Sequence, residues 1–120
     1  MRLQHTEPCF ECPWRKKALK GWLGGHQATY YADAVAAGEV PACHRKDYGP
    51  EDDRTAFCAG AMICMKNQAM LPSARWPGQE TALEAIALIY RDPTVFRHHA
   101  DFYHRHTDTQ WIPPIMRQKE

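Results

Sequence analysis

The residues best suited to chemistry are the cysteines. Cys9-Phe10-Glu11-Cys12-Pro13 is a C-x2-C turn, and it is joined downstream by Cys43-His44 and by Cys58-Ala59-Gly60. A C-x2-C turn points two sulfurs into one space, and thiolates favour soft or borderline centres such as zinc or an iron–sulfur cluster. Cys43 and Cys58, each beside a chain-turning neighbour, complete a four-thiolate set. The plainer reading of Cys43 and Cys58 is that of small buried apolar residues. A short N-terminal loop with little else to anchor it favours the ligand reading. His44 stands beside Cys43 as an alternative ligand, a hydrogen-bond donor to a ligand, or a solvated loop histidine.

The fifth cysteine separates from this group by helix geometry. Cys64 lies six residues past Cys58, about 600° of rotation at about 100° per residue, so on one helix the two side chains point about 120° apart. Cys58, Ala61, Met62 and Met65 form the stripe facing the site and core, and Cys64 reads as an apolar helix residue. Five cysteines also cannot pair without a remainder, which disfavours an all-disulfide scaffold.

Two enzymatic uses of the same residues fit less well. In a thiol–disulfide oxidoreductase the first thiol sits at a helix N-terminus, and a helix at Trp14 would supply one, but the βαβ context is missing. Adjacent Cys43 and His44 rarely achieve the geometry of nucleophile and general base. No phosphate-binding glycine loop, serine elbow or carboxylate pair at helical spacing is present. The acidic run Asp47, Glu51, Asp52 and Asp53 lacks the glycine and terminal glutamate of a calcium loop.

The elements that must hold these groups follow from periodicity and punctuation. Trp14 to Leu23 has helical spacing and stops at Gly24-Gly25, and Thr29 to Ala37 reads as helix on its alanines, with a strand through Thr29-Tyr30-Tyr31 as the other option. Pro41 to Arg54 is a loop, and Ala56 to Met70 a second strong helix. Thr81-x-x-Glu84 reads as a capping box opening a helix with Leu83, Ile86, Ala87 and Tyr90 on one face. Asp92-Pro93 reads as cap and first turn of a last helix carrying Phe96, His99, Ala100 and Tyr103 on one stripe. His98, His99, His104 and His106 then form a surface histidine cluster, since at best two imidazoles converge.

The expected fold is mainly α, a small single domain over residues 1–120 with irregular loops organised around a four-cysteine metal or iron–sulfur centre. Residues 1–70 form the cysteine part and 71–120 a C-terminal helical part, with a small hairpin as an option. The chain has 120 residues, 44% hydrophobic and 24% charged, with nine prolines that keep the elements short. Its formal charge of +1 excludes a broad cationic surface for nucleic acid. The charge is polarised: residues 1–46 carry seven Lys/Arg and four Asp/Glu, residues 47–120 eight and ten. Trp14, Arg15, Lys16, Lys17 and Lys20 form a basic, aromatic candidate partner patch for a protein or nucleic acid; a solvated helix face is the blander reading. The N-terminus has no apolar run, so the expectation is a cytoplasmic protein with reduced thiols and no membrane contact.

Pro8-Cys9-x-x-Cys12-Pro13-Trp14-Arg15, then Cys43-His44, then Cys58-Ala59-Gly60, resembles a set of small uncharacterised bacterial and phage proteins with these motifs in this order. The resemblance covers residues 8 to about 62. It implies that Cys9, Cys12, Cys43 and Cys58 act as a group with His44 and Trp14 nearby. It carries no known activity. The ligand arrangement, one C-x2-C with two isolated cysteines, is also similar to that of the WhiB-like iron–sulfur regulators, and Cys12-Pro13 to the Cys-Pro of ferredoxins. On these grounds a [4Fe–4S] cluster is favoured, with Zn²⁺ as the alternative because it is the commoner four-thiolate centre. The expected function is non-enzymatic: a regulatory or interaction protein, phage-encoded, acting on a host protein or nucleic-acid complex. A redox, electron-transfer or thiol oxidoreductase protein is the alternative.

Overall fold

The sequence from Cys58 to Asn67 is dense in Ala, Met and Ile, with no charge before Lys66, so as a helix it can only sit inside the molecule. In the computed structural model, which describes residues 1–117, it does. Helix α2, Ala59–Asn67, buries every residue from Ala59 to Met65. It therefore has no single core-facing stripe, and Cys64 is as buried as Met62. Helix α1 (Ala28–Ala36) packs against α4 (His99–Thr107), and the short α3 (Ala82–Ile86) touches α2. The described residues contain these helices, a 3-10 turn at Pro114–Arg117, loops and no sheet. None of their helices is long and apolar enough to cross a membrane.

Helix ends follow local chemistry. Gly38, at φ +82°, closes α1: its own amide bonds Val35 and that of Glu39 bonds Ala34, the paired pattern that satisfies the last carbonyls. Helix α4 begins at His99, not at Asp92-Pro93, because the Asp92 carboxylate folds onto Thr94 and the His98 Nδ1 accepts the Ala100 amide instead. The Thr81 capping box is not made. Thr81 sits at φ −102°, ψ 10°, already inside a turn and not in the extended conformation a cap needs. The expected apolar face is rotated with it: Ala82, Ala85, Ile86 and Ile89 are buried, whereas Leu83 and Tyr90 are exposed.

The largest departure is at Trp14–Leu23, which is not helical. Backbone bonds from Lys16 to Thr94 and from Phe96 to Trp14 hold residues 14–16 extended along 94–96, and Gly21, at φ +79°, turns the chain. This pairing puts Trp14 at the centre of the core, stacked on Phe102 with ring centroids 3.8 Å apart. Asn67 locks the same region: its side-chain amide donates to the carbonyls of Asp92, Val95 and Phe96 and accepts from the Asp92 amide. Three isolated bridges stand where a small hairpin was an option, and two of them gather chain around residues 56–57: Arg2 pairs with Ala56 and Ala42 with Phe57.

The histidines of α4 are divided between surface and interior. His98 and His104 are exposed, but His99 and His106 are buried, so they are core residues and not part of a surface cluster. The His106 Nδ1 accepts the Gly21 amide and its Nε2 donates to the Pro13 carbonyl, which fixes the neutral ring. His99 lies edge-on to Trp111 and stacks on His98. Burial, then the neighbouring His98, pulls the His99 pKa from 6.5 to about 4 against the opposing pull of Asp33, and burial also lowers that of His106. Both rings thus stay neutral in the fold while the unfolded chain takes up protons below about pH 6.5. Their stabilising contribution is complete above that pH and is lost as the pH falls toward 4. Thermal melts at pH 7 and pH 5 should show His99→Gln losing several degrees less than the parent over that interval.

Candidate metal centre

Each cysteine is placed by a different local device. The N-terminal turn is built by the Cys12 amide bonding the Cys9 carbonyl and the Arg15 amide bonding the Cys12 carbonyl. Arg15 then reaches back, its Nε donating to the Cys9 carbonyl at 2.7 Å and its Nη2 to that of Pro8 at 2.6 Å. Its guanidinium is thus a clamp on the cysteine turn. From the other side His106 holds the Pro13 carbonyl.

Cys43 and Cys58 are brought together by the bridges around residues 56–57. The Cys43 amide donates to Ala56 and the Cys58 amide to Pro41, so the two chain segments run side by side into the site. Cys58 is the N-cap of α2, and its Sγ accepts the Ala61 amide at 3.4 Å. The helix N-terminus thus gives that sulfur a fixed backbone donor.

Cys9, Cys12, Cys43 and Cys58 line one cavity, together with His44, His5 and Glu7. Cys12 and Cys58 are buried, Cys9 and Cys43 half-buried. The open space is about 10 Å³, room for one water-sized body. Three of the thiols form a row: the Cys9 pKa is raised mainly by its hydrogen bond to Cys12, and that of Cys12 mainly by its hydrogen bond to Cys58. Burial raises both further. Among the described residues no three His, Cys, Asp or Glu side chains are already disposed as a metal-holding group.

The rest of the cavity wall is close-packed. Gly60 faces Cys12 and Trp14, and a Cβ there would lie 2.3 Å from the Cys12 Sγ and 2.9 Å from the Trp14 Cβ. His44 lies against Gly24, and its Nε2 is buried without a hydrogen-bond partner. Burial lowers its pKa, as does Arg45, with Glu11 opposing. Cys64 stays outside the cavity, where burial raises its pKa to about 12 and Gln68 donates to its sulfur at 3.6 Å.

The partner patch is altered. Trp14 has no exposed surface and cannot meet a partner, because its segment pairs with residues 94–96. Arg15 serves the cysteine turn, and Lys20 pairs with Asp108. Lys16 and Lys17 remain exposed. The roles of Arg15, Gly60 and His106 were not legible from residue type. Arg15 and Gly60 carried a signal only as members of the ordered motifs, and His106 carried none. No family model, curated protein or solved structure matches the chain.

Proposed function

We propose that Cys9, Cys12, Cys43 and Cys58 together bind one metal ion, and that this centre organises a small non-enzymatic protein whose role is interaction with a partner. The observation that carries the reading is the convergence of these four cysteines, from three separate chain segments, on one cavity. Zinc is the commoner ion for four thiolates in a small domain, and a [4Fe–4S] cluster is the other centre that the same ligand arrangement could hold. Binding would release the thiol protons, since the thiolate is the ligand form. His44, with its unpartnered Nε2 at the cavity wall, is the reserve ligand or a donor to a bound sulfur.

The raised Cys9 and Cys12 thiols argue against the oxidoreductase alternative, which needs a nucleophile with a depressed pKa. The helix that would have activated Cys12 or Cys9 is also absent from residues 14–23. The role in regulation, and the origin of the chain in a phage, rest on the motif resemblance alone.

Serine substitution at each cysteine tests the ligand set. Metal retained through gel filtration should be lost at positions 9, 12, 43 and 58 and kept at 64. Loss of metal in Cys64→Ser with a native far-ultraviolet spectrum, or retention in the other four, overturns the assignment.

A further inference from the structure

Next to the cysteine turn, on its outer side, lies a second and larger hollow. It is an open groove of about 630 Å³ between the turn and residues 17–22, and its lining includes Phe10, Glu11, Arg15, Lys17, Leu19 and Trp22. Phe10 is 91% exposed, Leu19 72% and Trp22 47%. Other bulky apolar side chains of this chain are also exposed, but these three surround one hollow and so present a contiguous apolar patch.

We propose that this groove docks a short acidic segment of a partner protein, one that presents bulky apolar side chains alternating with Asp or Glu. The inference rests on the reading of the chain as an interaction protein and names the chemistry of its partner. The apolar floor supplies the contact area, and the rim supplies the sign of the charge. Between residues 10 and 22 the only acid is Glu11, and it faces Arg45 at 3.5 Å, while Arg15, Lys16, Lys17 and Lys20 are all cationic. Lys17 lines the groove and makes no ion pair among the described residues. A nucleic acid is the poorer fit on charge: Arg15 is directed at backbone carbonyls and Lys20 at Asp108, which leaves Lys16 and Lys17, enough for one or two carboxylates but few for a row of phosphates, even though Phe10 and Trp22 offer aromatic faces.

Phe10 also couples the groove to the metal. It lies between Cys9 and Cys12, so the ion that fixes those two sulfurs fixes the backbone that presents the ring.

Selection of a phage-displayed library of random short peptides on the purified full chain tests the proposal, with the best binders resynthesised and measured by fluorescence anisotropy. The expected consensus combines Leu, Phe or Trp with Asp or Glu. Its affinity should fall at least about tenfold with Trp22→Asp or Leu19→Asp and fall again with Lys17→Glu, in variants whose melting temperature matches the parent. Replacing the acids of the peptide by Lys should abolish binding. No enrichment, a basic consensus, indifference to the groove substitutions, or tighter binding of an oligothymidine probe each overturns the docking assignment. Metal content measured on the same preparations separates the two readings. Metal-loaded protein that selects no acidic peptide removes the dock alone, and metal-free protein that selects it removes the metal centre alone.

Discussion

Gly60→Ala is expected to destabilise the protein by about 2 kcal/mol or more, although it exchanges one small helix residue for a better helix former. On propensity alone the change should be favourable by up to about 1 kcal/mol. The new methyl would instead sit 2.3 Å from the Cys12 sulfur and 2.9 Å from the Trp14 Cβ. Neither neighbour can retreat cheaply. Cys12 is fixed by the bonds of its turn and by the Arg15 clamp, and Trp14 is stacked on Phe102 with its backbone paired to Phe96. For a domain of this size the melting temperature should fall by roughly 8 °C or more. Metal affinity should fall with it, since the displaced atom is a proposed ligand. Gly25→Ala is the control: a Cβ there meets nothing within 4 Å, and that substitution should leave the melt almost unchanged. Equal melts for the two variants would contradict the packing described around Cys12.

Removal of the metal is expected to have the larger effect. On the proposed function the ion joins three segments, residues 9–12, 43 and 58, and the free energy of binding at such a site is on the order of 10 kcal/mol. A core of this size has a total stability of about 5–15 kcal/mol, so the metal-free chain should be marginal. Treatment with a strong chelator should lower the melting temperature by at least about 20 °C. Limited proteolysis should then cut first in residues 1–13 and 41–54, the loops that the thiols tie down, before it reaches α2. Re-addition of zinc should restore both the melt and the resistance. Unchanged melting in the chelator, on a sample shown to have lost its metal, would mean that the hydrophobic core alone supports these loops.

Cys9, Cys12, Cys43 and Cys58 were grouped because sulfur is rare and its spacing carries meaning, and the structure lines one cavity with all four without disposing three of them as a metal-holding group among the described residues. Helix α1 was legible from its alanines and the glycine that ends it. The errors cluster where a long-range contact overrides a local pattern. Trp14, Ala18 and Trp22 have the spacing of a helix, but pairing with residues 94–96 holds the start of the segment extended, and those partners lie some eighty residues away in sequence. The same contact turned Trp14 from a proposed partner residue into the centre of the core. Asp92 looked like a helix cap because its carboxylate does bond a following amide, that of Thr94, but in a turn that no helix continues. His99 and His106 were read as part of a surface cluster because at best two imidazoles could converge on one helix face. Their burial depends on Trp111 and on Gly21 and Pro13, none of them a neighbour in the chain.

Loops and helices therefore have unequal roles in this molecule. The helices α1, α2 and α4 supply part of the core, to which the loops add Trp14, Phe57, Val95 and Phe96, and the loops supply every proposed ligand, with Cys58 at the junction between the two. Arg15 illustrates the economy of the arrangement: one side chain satisfies two carbonyls of the cysteine turn and lines the neighbouring groove. If the ion and the groove act together, loss of metal weakens partner binding without any ligand cysteine touching the partner.

The account stands most directly on what the four thiols hold. Protein purified without oxygen, then assayed for zinc, iron and acid-labile sulfide, should contain about one zinc per chain and no sulfide. About four irons with four sulfides would contradict the single-ion reading, and a folded chain with neither metal would contradict the centre itself.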